Sequence, residues 1–209
     1  MAELGSALRE LVDAAVRTEV PAADLAAAAA TARELAAALR VGGRGLLDVA
    51  AVDDPVAGER WYSPVYGPGS PVAPPLLVDS EGGGRVTARV TVPKALEGPP
   101  GLAHGGTIAT VLDHVLARAL RSAGRGGLTA TLTVTYRRPV RLGVEHVLHA
   151  EVAATEGRRS TARARITTAE DPDTVLAEGE GLFVALRPEA AAATFAGVDH
   201  APEAWTARP

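Results

Sequence analysis

The sequence predicts an α+β fold, in which a curved antiparallel sheet wraps around one long helix and a helical extension precedes it. Three observations carry this reading. The first forty residues repeat apolar side chains at helical spacing. From Leu76 onward, short segments alternate apolar and polar residues at strand spacing. One strongly helical run, starting near His104, interrupts those strands. A single helix amid a strand meander can bury its apolar stripe only if the sheet curls around it.

The elements follow in order. Leu4, Leu8, Leu11, Val12, Ala15 and Val16 recur at three- and four-residue intervals. Pro21 suits a helix start, Leu25, Ala28, Ala29, Leu35 and Leu39 continue the stripe, and Gly42 and Gly43 end it. Residues 1–60 are therefore read as a helical N-terminal extension. Residues 61–75 form a connector, because Ser63 to Pro75 holds five prolines and two glycines. Trp61, Tyr62, Val65 and Tyr66 suggest that this connector packs onto the rest. Residues 76–187 form the main domain. LLVD and GRVTARVTV make a hairpin around SEGGG, and LTATLTVTY alternates cleanly. Leu128, Ala130, Leu132, Val134 and Tyr136 are expected on one face, with Thr129, Thr131, Thr133 and Thr135 on the other. VEHVLHAEVAAT, STARARITT and TVLAEGEGLFVAL supply three more strands. Residues 188–209 read as a tail with little apolar content beyond Phe195 and Trp205.

Composition narrows the function. The chain has 209 residues, a net charge of −4 and no cysteine, which removes disulfides, thiolate ligands and a cysteine nucleophile. The acidic balance argues against general nucleic-acid binding. No window reaches the roughly 18 apolar residues of a membrane span, and the N-terminus lacks a signal pattern, so a cytoplasmic location is expected. Within residues 118–165, ten arginines stand against Glu145, Glu151 and Glu156, a local excess of seven positive charges that suits an anionic ligand. A metal site is not expected. His104 and His114 are not an i, i+4 pair, and His146 and His149 should face opposite sides of a strand.

The helix beginning near His104 carries the chemistry. Ile108, Val111, Leu112, Val115, Leu116 and Ala119 make its core stripe. Asp113 lies beside that stripe, in a strip of small residues formed by Gly106, Ala109 and Ala117. Gly105 and Gly106 sit where the helix leaves backbone N–H groups without internal partners. A carbonyl oxygen placed there would be polarised, and Asp113 could act as base or nucleophile on its carbon. His104 reads as a histidine that braces the loop before the helix.

These residues resemble a known family. GPPGLAHGGTIATVLD, followed at the right distances by LTATLTVTYRRPV and EGRRS, is similar to the helix motif and following strands of hotdog-fold acyl-CoA thioesterases. These are the phenylacetate-pathway and animal types of the 4-hydroxybenzoyl-CoA thioesterase superfamily. SPVYGPGSPVAPPL resembles a segment of actinobacterial members that carry a helical extension. The resemblance spans roughly residues 74–187. It implies a hotdog fold, and a homodimer or dimer of dimers with active sites between subunits. It implies that Asp113 is the catalytic carboxylate and that the Gly105 N–H polarises the thioester, with Gly106 beside it and His104 in the motif. Thr129 would approach the nucleophilic site from the other subunit. Thr135, Arg137, Arg158, Arg159, Ser160 and Thr161 would hold coenzyme A. No cofactor is implied, coenzyme A being part of the substrate, which is an acyl-CoA or an acyl-carrier protein. Phenylacetate-type members often have Asn six positions before the histidine, where this chain, like the animal type, differs and has Gly98. The chain is 3% aromatic, which offers no stacking platform and favours aliphatic acyl groups. Two alternatives stand beside hydrolysis: a dehydratase-like or editing reaction on the same fold, and an acyl-CoA-binding regulator without catalysis. The helix carboxylate favours hydrolysis over both.

Overall fold

A computed structural model describes residues 2–54, 59–198 and 206. The extension forms two helices, α1 (Ala2–Arg17) and α2 (Ala22–Arg40), broken at Pro21, which caps α2. Strands β1 (Leu77–Gly82) and β2 (Arg85–Thr91) precede the central helix α3 (Gly105–Ser122). Strands β3 (Leu128–Tyr136), β4 (Glu145–Glu156), β5 (Arg159–Thr168) and β6 (Ala177–Val184) follow it. All six strands join one sheet in the order β1-β2-β4-β5-β6-β3, and every neighbouring pair is antiparallel. The sheet wraps α3 in the hotdog arrangement.

The core follows from periodicity. Ile108, Val111, Leu112, Val115, Leu116 and Ala119 are all buried, on one stripe of α3. They meet the inward residues Val86, Ala88, Val90, Leu148, Ala150, Ala162, Ala164, Ile166 and Phe183. Each large side chain fully buried in this way contributes about 1.5–3 kcal/mol. With few aromatics to fill space, the helix comes close to the sheet. A Cβ at Gly179 would already touch Leu112, and one at Gly181 would lie 2.7 Å from the Phe183 ring. The run AEGEG therefore turns glycine toward the helix and glutamate outward. The β1–β2 turn is tighter than SEGGG suggested. Only Gly83 and Gly84 form it, at φ of 57° and 83°, the left-handed pair a two-residue hairpin needs.

In the connector Val65 and Ala73 are buried and Trp61 and Tyr66 partly so, while Tyr62 is exposed. Tyr66 stacks on His114 of α3, ring centroids 4.4 Å apart. Helix α1 lies on the connector through Gly5, which is buried against Pro68 and Gly69, and Arg9 donates to the carbonyls of Pro68 and Ser70. Helix α2 has no buried residue. The tail holds a short helix α4 (Pro188–Thr194) that the sequence reading missed. Pro188 in its first turn, followed by Glu189 and an alanine run, is the signal that could have found it. Phe195 follows α4, and Trp205 lies outside the described residues.

The His114 stack gives the protein an acid-sensitive joint. Burial, followed by the nearby Arg118 and Arg121 charges, pulls the His114 imidazole from 6.5 down to about 3. Between those values the unfolded chain binds the proton and the folded chain does not. Stability is then complete above the unfolded value and falls as pH drops toward the folded one. His114→Phe should flatten that loss, which reaches at most about 1.4 kcal/mol per pH unit for one group. Chemical denaturation of both proteins from pH 7 to pH 4 checks it, and parallel curves would mean His114 is not the group responsible.

Candidate active site

Residues 98–104 deliver the chain to the start of α3. Gly98 N–H donates to the Leu102 carbonyl, and His104 N–H donates to the Leu96 carbonyl. Gly98 is so close to His104 that a Cβ there would lie 2.9 Å from its Cα, which leaves no room for a side chain such as Asn. His104 is the N-cap in extended backbone, and its Nδ1 accepts the Gly106 N–H at 2.9 Å. That bond leaves the imidazole proton on Nε2. The His104 ring thus caps the helix start, where the sequence pointed to a brace for the loop before the helix.

The same bond corrects the role given to Gly106. Its N–H is committed to His104 and cannot be offered to a ligand. The Ile108 N–H is also taken, by the His104 carbonyl. Among the described residues, the N–H groups of Gly105 and Thr107 have no hydrogen-bond partner. They are the donors left at the positive end of the helix dipole. Gly105 also packs closely, since a Cβ there would sit 3.4 Å from the Tyr136 hydroxyl.

Asp113 lies two turns along α3, at intermediate exposure, flanked by Ala109 and Ala117. Its Oδ1 accepts the Thr129 hydroxyl at 2.9 Å. This contact bears on two expectations. The strand alternation put Thr129 with Thr131, Thr133 and Thr135 on one face. Instead, the β3–β6 register shifts between Thr129 and Thr131, so Ala130 bulges and Thr129 turns toward the helix. Thr131, Thr133 and Thr135 stay on the outer face. Within one chain Thr129 already reaches Asp113, where the resemblance implied an approach from the other subunit. The second carboxylate oxygen, Oδ2, takes no part in this bond.

Helix geometry then separates the two halves of the site. Eight residues at about 1.5 Å rise place Gly105 and Asp113 of one chain about 12 Å apart along the axis. A carbonyl polarised at the Gly105 N–H cannot also meet the Asp113 of the same helix. The expectation that Asp113 faces a carbonyl held by its own helix start is therefore wrong.

The residues implied for coenzyme A scatter. Thr135 faces a groove of about 540 Å³ on the outer side of the sheet, opposite α3. Arg159 and Thr161 line a neighbouring hollow with Thr131 and Thr133. Ser160 points the other way, buried and paired with Thr155, so it cannot reach a nucleotide from this face. Successive strand residues alternate faces, so Ser160 and Thr161 open onto opposite sides of the sheet. Arg158 is held by the Ala185 carbonyl at 2.8 Å, a structural tie. Arg137 pairs with Glu178 at 2.9 Å near the surface.

The local positive excess is also smaller than the sequence window implied. Arg118 is buried against Glu81, Arg137 meets Glu178, and Arg163 meets Glu180. These glutamates lie outside residues 118–165. In the folded sheet one rank reads Arg85, Glu151, Arg163, Glu180 and Thr133 from β2 across to β3. The alternation of AEGEG against ARAR was the signal that could have revealed this pairing. Tyr136 is 53% exposed and lies against Gly105, at the free donors.

Among the described residues no helix is long and apolar enough to cross a membrane. The profile of the thioesterase superfamily matches residues 100–175. A solved structure of a thioesterase superfamily protein is 34% identical, with a TM-score of 0.78, over 88% of this chain and 94% of that one. A Xenopus laevis protein named acyl-coenzyme A thioesterase THEM4 is 37% identical over 93 residues, which cover 44% of this chain and 41% of that protein. A human protein named acyl-coenzyme A thioesterase THEM5 is 31% identical over 45% of this chain and 38% of its own length. The chain thus spans about two fifths of the curated relatives it matches.

Proposed function

The chain belongs to the thioesterase superfamily, and on that premise we propose that it hydrolyses an acyl-CoA thioester to the free acid and coenzyme A. The observation that carries this is the Asp113 carboxylate, held by Thr129 in an open strip of small residues. Asp113 takes the proton of an attacking water, or attacks the carbonyl itself, while backbone N–H groups at a helix start stabilise the oxyanion. On the water route the carbon–sulfur bond breaks and the coenzyme A thiolate takes up the proton that Asp113 had accepted. On the direct route the same cleavage leaves an acyl–Asp113 anhydride, which a water hydrolyses to the free acid while its proton goes to the thiolate. Residues 76–187 contain every residue given a role here. A thiol-release assay over a panel of aliphatic and aromatic acyl-CoAs tests the reading, and silence across the panel would refute it.

The reaction site is assembled from two copies of the chain. The 12 Å gap supports this, since donors and carboxylate must come from different helices to meet one carbonyl. Strand β3 supplies the means. It is the last strand of the sheet, nine residues long, with no proline, glycine or charged residue to block pairing. Two β3 edges joined about a two-fold axis bury this liability and bring the two α3 helices side by side. Each site then takes Gly105 from one copy and Asp113 with Thr129 from the other.

Arg137 and Arg159 hold the distal end of the substrate. Their groups lie on the sheet face away from the Asp113 of their own chain, so they serve only a nucleotide end or a neighbouring copy. Arg137→Ala and Arg159→Ala should raise KM for acyl-CoA roughly tenfold, as expected for a lost charged hydrogen bond, with kcat changed less. The effect should shrink on an acyl-pantetheine without the nucleotide. Equal losses on both substrates would make these arginines structural.

A further inference from the structure

Tyr136 stands at the end of β3, and its hydroxyl donates to the carbonyl of Gly105 at 2.9 Å. That carbonyl belongs to the peptide joining Gly105 to Gly106. The N–H of the same peptide donates to His104 Nδ1, also at 2.9 Å. One peptide unit is therefore pinned at both ends by side chains. The two free donors of the helix start, Gly105 N–H and Thr107 N–H, sit in the peptides on either side of it. Their directions are set by the plane between them.

We infer that Tyr136 is a positioning residue that orients the Gly105 and Thr107 N–H groups through this pinned peptide. The inference rests on the proposed hydrolysis for its catalytic consequence and stands on geometry for the clamp. The glycines explain why a clamp helps, because two adjacent residues without Cβ atoms make the first turn easier to distort than other residues would. A donor that drifts by about 1 Å loses much of its effect on a developing oxyanion, at a cost on the order of a hundredfold. The clamp also joins both halves of the chemistry to one strand. Thr129 near the start of β3 holds Asp113, and Tyr136 at its end holds Gly105. The edge that pairs two copies thus fixes both groups in each.

Tyr136→Phe removes the hydroxyl and keeps the ring, which is half exposed, so folding should be unaffected. Two readouts are taken on the full-length protein. Amide hydrogen exchange by NMR should speed up about five- to tenfold at Gly106 and Ile108, with residues of the last turn of α3 unchanged. Turnover of the best acyl-CoA in the panel should fall about ten- to a hundredfold, with KM within about twofold. Tyr136→Leu should lose no more than Phe does. Unchanged exchange at Gly106 and Ile108 overturns the clamp whatever the activity. Faster exchange with unchanged kcat overturns the positioning role. If the wild type hydrolyses no acyl-CoA, the hydrolysis reading falls, and exchange alone still decides the clamp.

Discussion

Asp113→Asn is expected to lower thioester turnover by about 10²–10⁴, the usual cost of losing a base, while the protein keeps its fold. Asparagine has the shape of aspartate, and its carbonyl can still accept the Thr129 hydroxyl that now meets Oδ1. The strip around it consists of Ala109, Ala117 and Gly106, so no neighbouring charge is left unpaired. What disappears is the ability to take a proton or to attack. Steady-state thiol release beside a thermal unfolding curve separates the two effects. A variant that turns over near the wild-type rate would remove Asp113 from the mechanism.

Gly105→Pro should be nearly as damaging for a different reason. Position 105 is the first residue of α3, where proline is well tolerated and its missing N–H breaks no helical bond. His104 before it has φ −62° and ψ 137°, the extended backbone that a residue preceding proline prefers. The substitution therefore deletes one free donor with little strain. Loss of an oxyanion donor costs about 10²–10³ in kcat. Thermal stability should stay close to wild type. Full activity in this variant would mean that the Gly105 N–H does not contact the reacting carbonyl.

The sequence made some of this legible for simple reasons. The α3 stripe and the strands follow local periodicity, so Ile108 through Ala119 and the six strands were readable from spacing. Asp113 stood out because a carboxylate inside an apolar helix is costly. What stayed hidden depends on register and long-range pairing. The bulge at Ala130 is invisible in LTATLTVTY, yet it turns Thr129 toward the helix and leaves the next threonines outside. Arginine counting over residues 118–165 missed Glu81, Glu178 and Glu180, which come from other strands. The His104–Gly106 bond withdrew a donor that a glycine pair seemed to offer. Tyr136 was read as one more apolar position of a strand, because nothing local tells where its hydroxyl ends.

The central claim is that each site takes its donors from one copy of the chain and its carboxylate from another. Mixing Asp113→Asn protein with Gly105→Pro protein under subunit exchange tests it most directly. A heterodimer then holds one site with an intact Gly105 and an intact Asp113, and one site with both defects. With random exchange, half the dimers are mixed and each has one working site, so activity should recover to about a quarter of wild type. If native mass spectrometry finds the heterodimers and activity stays at the level of the two parents, both groups act within a single chain or neither acts as described, and the shared site is wrong.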